Sequence, residues 1–98
     1  MAEPPKNVRT AEFREQFDRL PERIRRLAVE LFKRFVENPA YPALRHHVLS
    51  DNDKGMHRDG SCSVSITMRY RAIYVKDGGK NVWYWIGTHD DYDTFTGS

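Results

Sequence analysis

The last third of the chain contains three β-prone runs in direct succession, at residues 61–67, 69–76 and 81–86. The first run alternates small apolar and hydroxyl side chains, and this period of two predicts one apolar face turned inward and one hydroxyl face turned outward. Gly78 and Gly79 lie between the second and third runs, where a tight hairpin turn requires residues with positive φ. The pattern predicts a small antiparallel sheet against which the rest of the chain must pack.

Two amphipathic helices are predicted ahead of this sheet. Thr10 fits an N-cap, and apolar residues at i, i+4 and i+7 from Phe13 predict a short helix over residues 11–20. A second run of apolar residues at helical spacing predicts a longer helix over residues 21–37, because Pro21 is well tolerated in a first helical turn. The two helices should form a hairpin with one apolar stripe each.

The remaining segments complete an α+β architecture. Residues 1–6 are a charged, Pro-containing lead-in that we expect to be flexible, and residues 7–9 are expected to begin a short strand. Residues 44–49 predict a further strand, and residues 50–60 are polar and punctuated by glycine, which predicts a loop. We expect one domain over residues 1–98, with the helical hairpin on one face of a twisted, mainly antiparallel sheet and no helix on the other face.

Composition narrows the functional classes. Sixteen Lys and Arg against fourteen Asp and Glu give a formal net charge of +2, which permits a nucleic-acid partner without requiring one. The single cysteine, Cys62, excludes an internal disulfide framework and a cysteine-based zinc site. His46 and His47 point to opposite faces if they lie on a strand, which argues against a shared metal ion. With no apolar run near Met1, we expect a cytoplasmic protein with no membrane partner, metal or small-molecule cofactor.

Two polar residues of the sheet region are candidate functional groups. Burying a guanidinium or an imidazole without a partner is costly, so Arg71 and His89 should lie where water, a carboxylate or an anionic ligand reaches them. A simpler interpretation pairs Arg71 with Asp91 and lets His89 bond to the backbone at a strand end. Trp83 and Trp85 are expected on one face of the last strand and Tyr84 and Ile86 on the other, with at least one of these pairs in the core rather than on a ligand platform.

Three segments of this chain carry a resemblance. The helix pair ending in ENPAYPAL, the strand YRAIYV and the terminal WIGTHDDYD resemble the RelE/ParE superfamily of toxins from bacterial toxin–antitoxin pairs, over about residues 8–92. The resemblance implies neutralisation by a small antitoxin partner. Its RelE-like branch, with the YoeB, HigB and YafQ types, implies cleavage of messenger RNA, usually in the ribosomal A site. Its ParE branch implies inhibition of DNA gyrase instead, and a relative without activity would serve as an interaction module.

The resemblance also implies roles for single residues. Arg71 stands where RelE-type toxins hold an arginine that contacts the scissile phosphate, and His89 and Tyr92 resemble the C-terminal His and aromatic pair of several of these nucleases. Ser65 stands where many relatives place a second arginine, which leaves Arg69 as a substitute. The loop of residues 50–60 corresponds to the position of the catalytic lysines of RelE and a histidine of YafQ. Its candidates are Lys54, His57 and Arg58.

These residue types suit metal-free RNA cleavage by the neighbouring 2′-hydroxyl. His89 is expected to act as general acid or base, Arg71 to stabilise the phosphorane, and Tyr92 to orient the substrate by stacking a base. His57, Arg58 or Lys54 is expected to supply the complementary group, and the product is expected to be a 2′,3′-cyclic phosphate. The cationic face of the second helix, which includes Arg23 and Arg26, is either a solvated surface or a contact to ribosomal RNA.

Overall fold

The computed structural model describes residues 5–50 and 54–97. Within them lies a five-stranded sheet in the order β1-β5-β4-β3-β2, in which β1 runs parallel to β5 and the other neighbours are antiparallel. In chain order the elements are β1 (Lys6–Arg9), α1 (Ala11–Asp18), α2 (Glu22–Glu37), a 3₁₀ turn (Pro42–Leu44), β2 (His47–Val48), β3 (Ser61–Thr67), β4 (Tyr70–Asp77), β5 (Lys80–Thr88) and α3 (His89–Thr96). The predicted α+β class is confirmed.

The helical hairpin packs on one face of the sheet, as predicted. Thr10 caps α1, since its side-chain oxygen accepts a hydrogen bond from the Phe13 amide at 3.1 Å. Phe13 and Phe35 are buried against Trp83 of β5. Burial of such side chains contributes about 1.5–3 kcal/mol each, so this apolar layer fixes where the hairpin lies on the sheet.

The bounds of β1 and α1 differ slightly from the prediction. Residues 1–4 of the expected lead-in lie outside the described residues, and Lys6, the last residue of that lead-in, already belongs to β1. The expected start of a strand over residues 7–9 is confirmed within β1. Helix α1 ends at Asp18 rather than at Leu20, although Leu20 is buried in the same core.

The turn between β4 and β5 follows its sequence signature. Gly78 and Gly79 have φ values of 58° and 77°, and the flanking residues Asp77 and Lys80 are paired across the hairpin. Positive φ at both central positions matches the right-handed twist of the strands. The predicted glycine hairpin is therefore confirmed.

The strand predicted over residues 44–49 is much shorter. Leu44 ends the 3₁₀ turn, and Arg45 follows it in the left-handed region with φ 46°, which breaks the extended chain. Pairing begins only at His47, which lies opposite Ser63 of β3. His46 contacts Tyr74 on the hairpin face and His47 contacts Tyr92 on the opposite face, so the expected divergence of the two rings is confirmed.

The second face of the sheet is not open, and the expectation that no helix covers it is wrong. Thr88 caps α3 by accepting a hydrogen bond from the Asp91 amide at 3.1 Å. The Tyr92 and Phe95 rings of α3 lie 6.1 and 5.3 Å from the Trp85 ring. Burial of these aromatic rings holds a helix where the sequence suggested only a polar strand end.

The serines of β3 are buried, which corrects their expected exposure. Ser61 and Ser63 are fully buried and Ser65 nearly so. Ser61 Oγ donates to the Arg58 carbonyl at 2.6 Å, and Ser63 Oγ accepts from Arg71 Nη1 at 3.3 Å. Small hydroxyl side chains fit this face because Arg58 of the loop before β3 and the Arg71 side chain lie against it.

Trp83 and Trp85 lie on opposite faces, contrary to the alternation expected for β5. Tyr74 of β4 lies opposite Trp83 and Ile73 lies opposite Trp85, so Tyr84 is an extra residue in a bulge. A bulge shifts every later side chain to the other face. Trp83 therefore joins the core under the hairpin, and Trp85 joins the smaller core under α3.

No helix of the described segments has the length and apolar character needed to cross a membrane.

Candidate active site

Arg71 lies near the start of β4, level with Ser65 of β3 and Gly87 of β5. Its guanidinium donates from Nη1 to Ser63 Oγ, and Cζ lies 5.0 Å from the centroid of the Tyr92 ring. Its Nε is buried and has no hydrogen-bond partner. Among residues 5–50 and 54–97 no ion pair within 4.0 Å involves Arg71, so the alternative pairing with Asp91 does not occur there. A half-buried guanidinium of this kind retains donors for an anion.

His89 is the first residue of α3, not a residue at the rim of a strand. Its backbone amide donates to the Arg69 carbonyl at 2.6 Å, which fixes the helix start beside the β3–β4 turn. Its side chain is 41% exposed, and Nδ1 lies 3.2 Å from Asp93 Oδ2. The Asp93 carboxylate accepts a hydrogen bond from Nδ1 when that nitrogen carries a proton, and Nε2 then remains available for proton transfer.

Tyr92 is the centre of this group of residues. Its ring lies under Arg71 and 5.8 Å from the His89 ring, and its hydroxyl lies 3.5 Å from His47 Nε2. The residue is only 6% exposed. Such a ring cannot stack an unpaired base, so the orienting role expected from the sequence must act on Arg71 and the two histidines instead.

His47 is the site residue that sequence reasoning missed. The sequence placed it on a strand but gave no reason to bring it near residues more than forty positions away. Pairing of His47 with Ser63 sets the ring beside Tyr92, because Ser63 also bonds Arg71. His47 is exposed and carries a titratable imidazole on the Arg71 face. The signal that reveals it is strand register, which a single sequence does not contain.

The loop candidates lie at the opposite end of the sheet. Arg58 Nη2 is 3.7 Å from Asp77 Oδ2, and Asp77 lies about 20 Å from Arg71 along β4 at roughly 3.3 Å per residue. His57 is 8% exposed and its Nε2 contacts the Ser50 carbonyl at 2.8 Å. The backbone of Lys54 packs against Gly97, just after the end of α3. The structure thus separates Lys54, His57 and Arg58 from Arg71 and His89.

Arg69 and the cations of α2 occupy different surfaces. Arg69 is exposed in the β3–β4 turn, immediately beside His89. Arg23 and Arg26 are exposed on α2, and Arg26 Nη2 lies 2.6 Å from Glu22 Oε1. An exposed pair at i, i+4 contributes about 0.3–0.5 kcal/mol, which fits the solvated-face interpretation for Arg26.

The face under the hairpin carries different chemistry. A cavity of about 240 Å³ lies between the hairpin and the sheet and is lined mainly by apolar side chains, among them Phe17, Phe32 and Trp83. At the border of this core His46 Nε2 lies 2.6 Å from the Tyr74 hydroxyl. Burial, with smaller contributions from His47 and Lys76, lowers the pKa of His46, and burial beside Cys62 raises the pKa of Tyr74. Both residues face away from Arg71.

Metal-ligating side chains are not clustered in the part of the chain that the structure describes, where no three His, Cys, Asp or Glu are grouped to hold an ion.

Comparisons with known proteins show which solved structures this fold resembles. The chain matches no protein-family model and no curated protein sequence. Among solved structures it is similar to YafQ from Escherichia coli, with a TM-score of 0.70 and 13% identity over 90% of this chain and 97% of that one. It is also similar to a chain of the RelBE2 toxin–antitoxin complex from Mycobacterium tuberculosis, with a TM-score of 0.65 and 23% identity over 88% and 99%. A third similar structure is the YoeB dimer from Staphylococcus aureus, with a TM-score of 0.64 and 16% identity over 89% and 99%.

The chain has the RelE-like toxin fold. The matches to YafQ and to the RelBE2 chain cover about nine-tenths of this chain. The expectation of this fold from ENPAYPAL, YRAIYV and WIGTHDDYD is confirmed. At these identities the likeness speaks for the RelE-like fold itself, and the roles of Arg71, His89, Tyr92 and His47 rest on their own geometry.

Proposed function

We propose that this chain is the toxin of a toxin–antitoxin pair and a metal-independent endoribonuclease that cleaves messenger RNA. The observation that carries the proposal is the position of Arg71. Its guanidinium lies on the Tyr92 ring, within a group that also contains His89 and His47. A fixed cation flanked by two imidazoles is the set of groups that cleavage by a 2′-hydroxyl requires.

The reaction has three requirements that these side chains meet. One histidine removes the proton from the 2′-hydroxyl, and the resulting oxygen attacks the adjacent phosphorus. Arg71 stabilises the additional negative charge of the phosphorane with its forked donors. The second histidine donates a proton to the departing 5′-oxygen, so the products are a 2′,3′-cyclic phosphate and a 5′-hydroxyl end.

The second histidine is assigned to His47 rather than to His57. His47 is exposed and contacts the Tyr92 hydroxyl, whereas His57 is buried at the far end of the sheet. An acid and a base must both lie within hydrogen-bond reach of the reacting phosphate. Asp93 supports this pairing by holding Nδ1 of His89, which leaves Nε2 of that ring for proton transfer.

A small antitoxin is the proposed protein partner. Two of the similar structures are toxin–antitoxin complexes, RelBE2 and DinJ–YafQ. The target is proposed to be messenger RNA on the ribosome, where the exposed cations Arg23 and Arg69 can contact phosphates. Such contacts position a protein without reading sequence.

Expression of the chain without an antitoxin tests the proposal. Wild type, Arg71→Ala and His89→Ala are induced in a bacterial host, and growth and messenger RNA ends are followed. We expect wild type to arrest growth and to produce new 5′-hydroxyl ends, and both variants to lose these effects. Growth arrest with intact transcripts and DNA breaks would replace the nuclease by a gyrase inhibitor. Growth without arrest in all three cultures would favour an interaction module.

A further inference from the structure

We propose that Met68, in the turn between β3 and β4, is the nucleobase contact of this site and packs against the base beside the cleaved phosphate. The inference rests on the proposed nuclease function. Because the Tyr92 ring is buried, it cannot stack a base, and a base contact must come from another side chain. Met68 is 81% exposed and lies two residues before Tyr70, where β4 begins toward Arg71.

Met68 lies in a short, solvent-exposed turn. Thr67 and Tyr70 are paired, so Met68 and Arg69 form a two-residue hairpin loop. Neither residue has a positive φ, in contrast to Gly78 and Gly79 in the β4–β5 turn, so the backbone of this turn does not require Asn, Asp or Gly. A large apolar side chain is therefore tolerated here, and it is 81% exposed to solvent and to a ligand.

Hydrogen bonds fix the position of the β3–β4 turn relative to His89. The Arg69 carbonyl accepts a hydrogen bond from the His89 amide at 2.6 Å, and the Arg69 amide donates to Thr67 Oγ1 at 3.1 Å. The pairing of β3 with β4 shifts by one residue at Ile66, a bulge directly before the turn. Bulges at the ends of strands redirect nearby side chains and are common beside active sites. A base that contacts Met68 would therefore be fixed relative to His89.

Methionine suits a contact that must accept more than one base. Its thioether is polarizable and its side chain is flexible, so it packs against the face of any aromatic ring. Arg69 places an exposed cation next to it, where a neighbouring phosphate can bind. Met68 thus supplies the apolar contact and Arg69 the electrostatic contact on the same turn.

A matched pair of methionine variants tests the inference. Met56 is 75% exposed and lies at the other end of α3, where its amide donates to the Phe95 carbonyl at 2.6 Å. Met68→Ala, Met68→Leu and Met56→Ala are compared with wild type in cleavage of messenger RNA on programmed ribosomes and of a free RNA oligonucleotide. Thermal unfolding of each variant confirms that folding is unchanged.

We expect Met68→Ala to lower kcat/KM by roughly 2- to 10-fold, the range of a thioether–ring contact. Met68→Leu should recover most of the loss, and Met56→Ala should behave as wild type. In a substrate with an abasic nucleotide beside the cleavage site, wild type and Met68→Ala should cleave at the same rate.

The outcomes distinguish a failure of the base contact from a failure of the proposed nuclease function. If wild type cleaves RNA while Met68→Ala matches Met56→Ala, the base contact is wrong and the nuclease stands. A loss that persists unchanged on the abasic substrate also overturns the base contact. If wild type cleaves neither substrate, both proposals fall together.

Discussion

The guanidinium carbon of Arg71 lies 5.0 Å from the centroid of the Tyr92 ring, so a strand and the helix that covers it meet at a cation and an aromatic face. A contact of this kind contributes roughly 0.5–2 kcal/mol, depending on solvent exposure. It also restricts the guanidinium, whose Nη1 is bonded to Ser63. The helix α3 therefore positions the proposed phosphate-binding group as well as covering the sheet.

Replacing Arg71 separates charge from geometry. Arg71→Ala should lower the rate of RNA cleavage by about 10²- to 10³-fold, the cost of removing one preorganised donor for transition-state charge. Arg71→Lys keeps the charge but loses the fork and the stacking on Tyr92, so it should recover only part of the rate. Arg58→Ala, at the far end of the sheet, is the matched control and should stay within about twofold of wild type. Equal losses for Arg71→Ala and Arg58→Ala would contradict the assignment.

Two substitutions of Tyr92 separate the contribution of its buried ring from that of its hydroxyl. Tyr92→Ala removes a buried ring and should lower the free energy of unfolding by about 3–5 kcal/mol. Tyr92→Phe keeps the ring under Arg71 and loses the contact of the hydroxyl with His47, so it should fold normally and cleave less than about tenfold more slowly. Urea unfolding and a cleavage assay on the same samples measure both. A folded Tyr92→Phe without any activity would show that the hydroxyl itself takes part in the chemistry.

The sheet was the most predictable part of the fold. The extended run of β3 and the glycines of the β4–β5 turn are local signals, and the structure follows both. The expected faces were wrong in β3, where the serines are buried as well as the apolar side chains, and in β5, where the bulge at Tyr84 moves Trp85 to the other face. A bulge depends on how side chains pack on both faces of the sheet, and the order of residues in one strand does not show that packing.

Helix α3 and His47 needed tertiary structure to be found. Residues 89–96 contain three aspartates and two threonines, which are weak helix formers, and the burial of Tyr92 and Phe95 on Trp85 supplies the missing stability. His47 joins the site only through its pairing with Ser63. Arg71 and His89 could be selected from sequence because each was costly to bury unpaired.

His46 should make stability depend on pH. Burial lowers its pKa below the ordinary value of 6.5, so on acidification the unfolded chain binds a proton before the folded chain does. The free energy of unfolding should therefore fall as the pH drops below about 6.5. His46→Gln removes the titrating group and keeps a hydrogen-bonding side chain near the Tyr74 hydroxyl, so its unfolding free energy should fall less. Urea unfolding from about pH 7.5 to about pH 5.5 compares the two proteins. Parallel curves would contradict the role of His46.

Two histidine substitutions decide which imidazole is the partner of His89. His47→Ala should lower cleavage by about 10²- to 10⁴-fold, the usual contribution of a positioned proton-transfer group, and should leave stability nearly unchanged because the side chain is exposed. His57→Ala should do the opposite, since it removes a buried ring that contacts the Ser50 carbonyl and costs about 1–2 kcal/mol of stability without slowing the folded protein. Added imidazole should restore part of the activity of His47→Ala only, because that site is open to solvent. A folded and inactive His57→Ala beside a fully active His47→Ala would move the second proton-transfer group back to the loop.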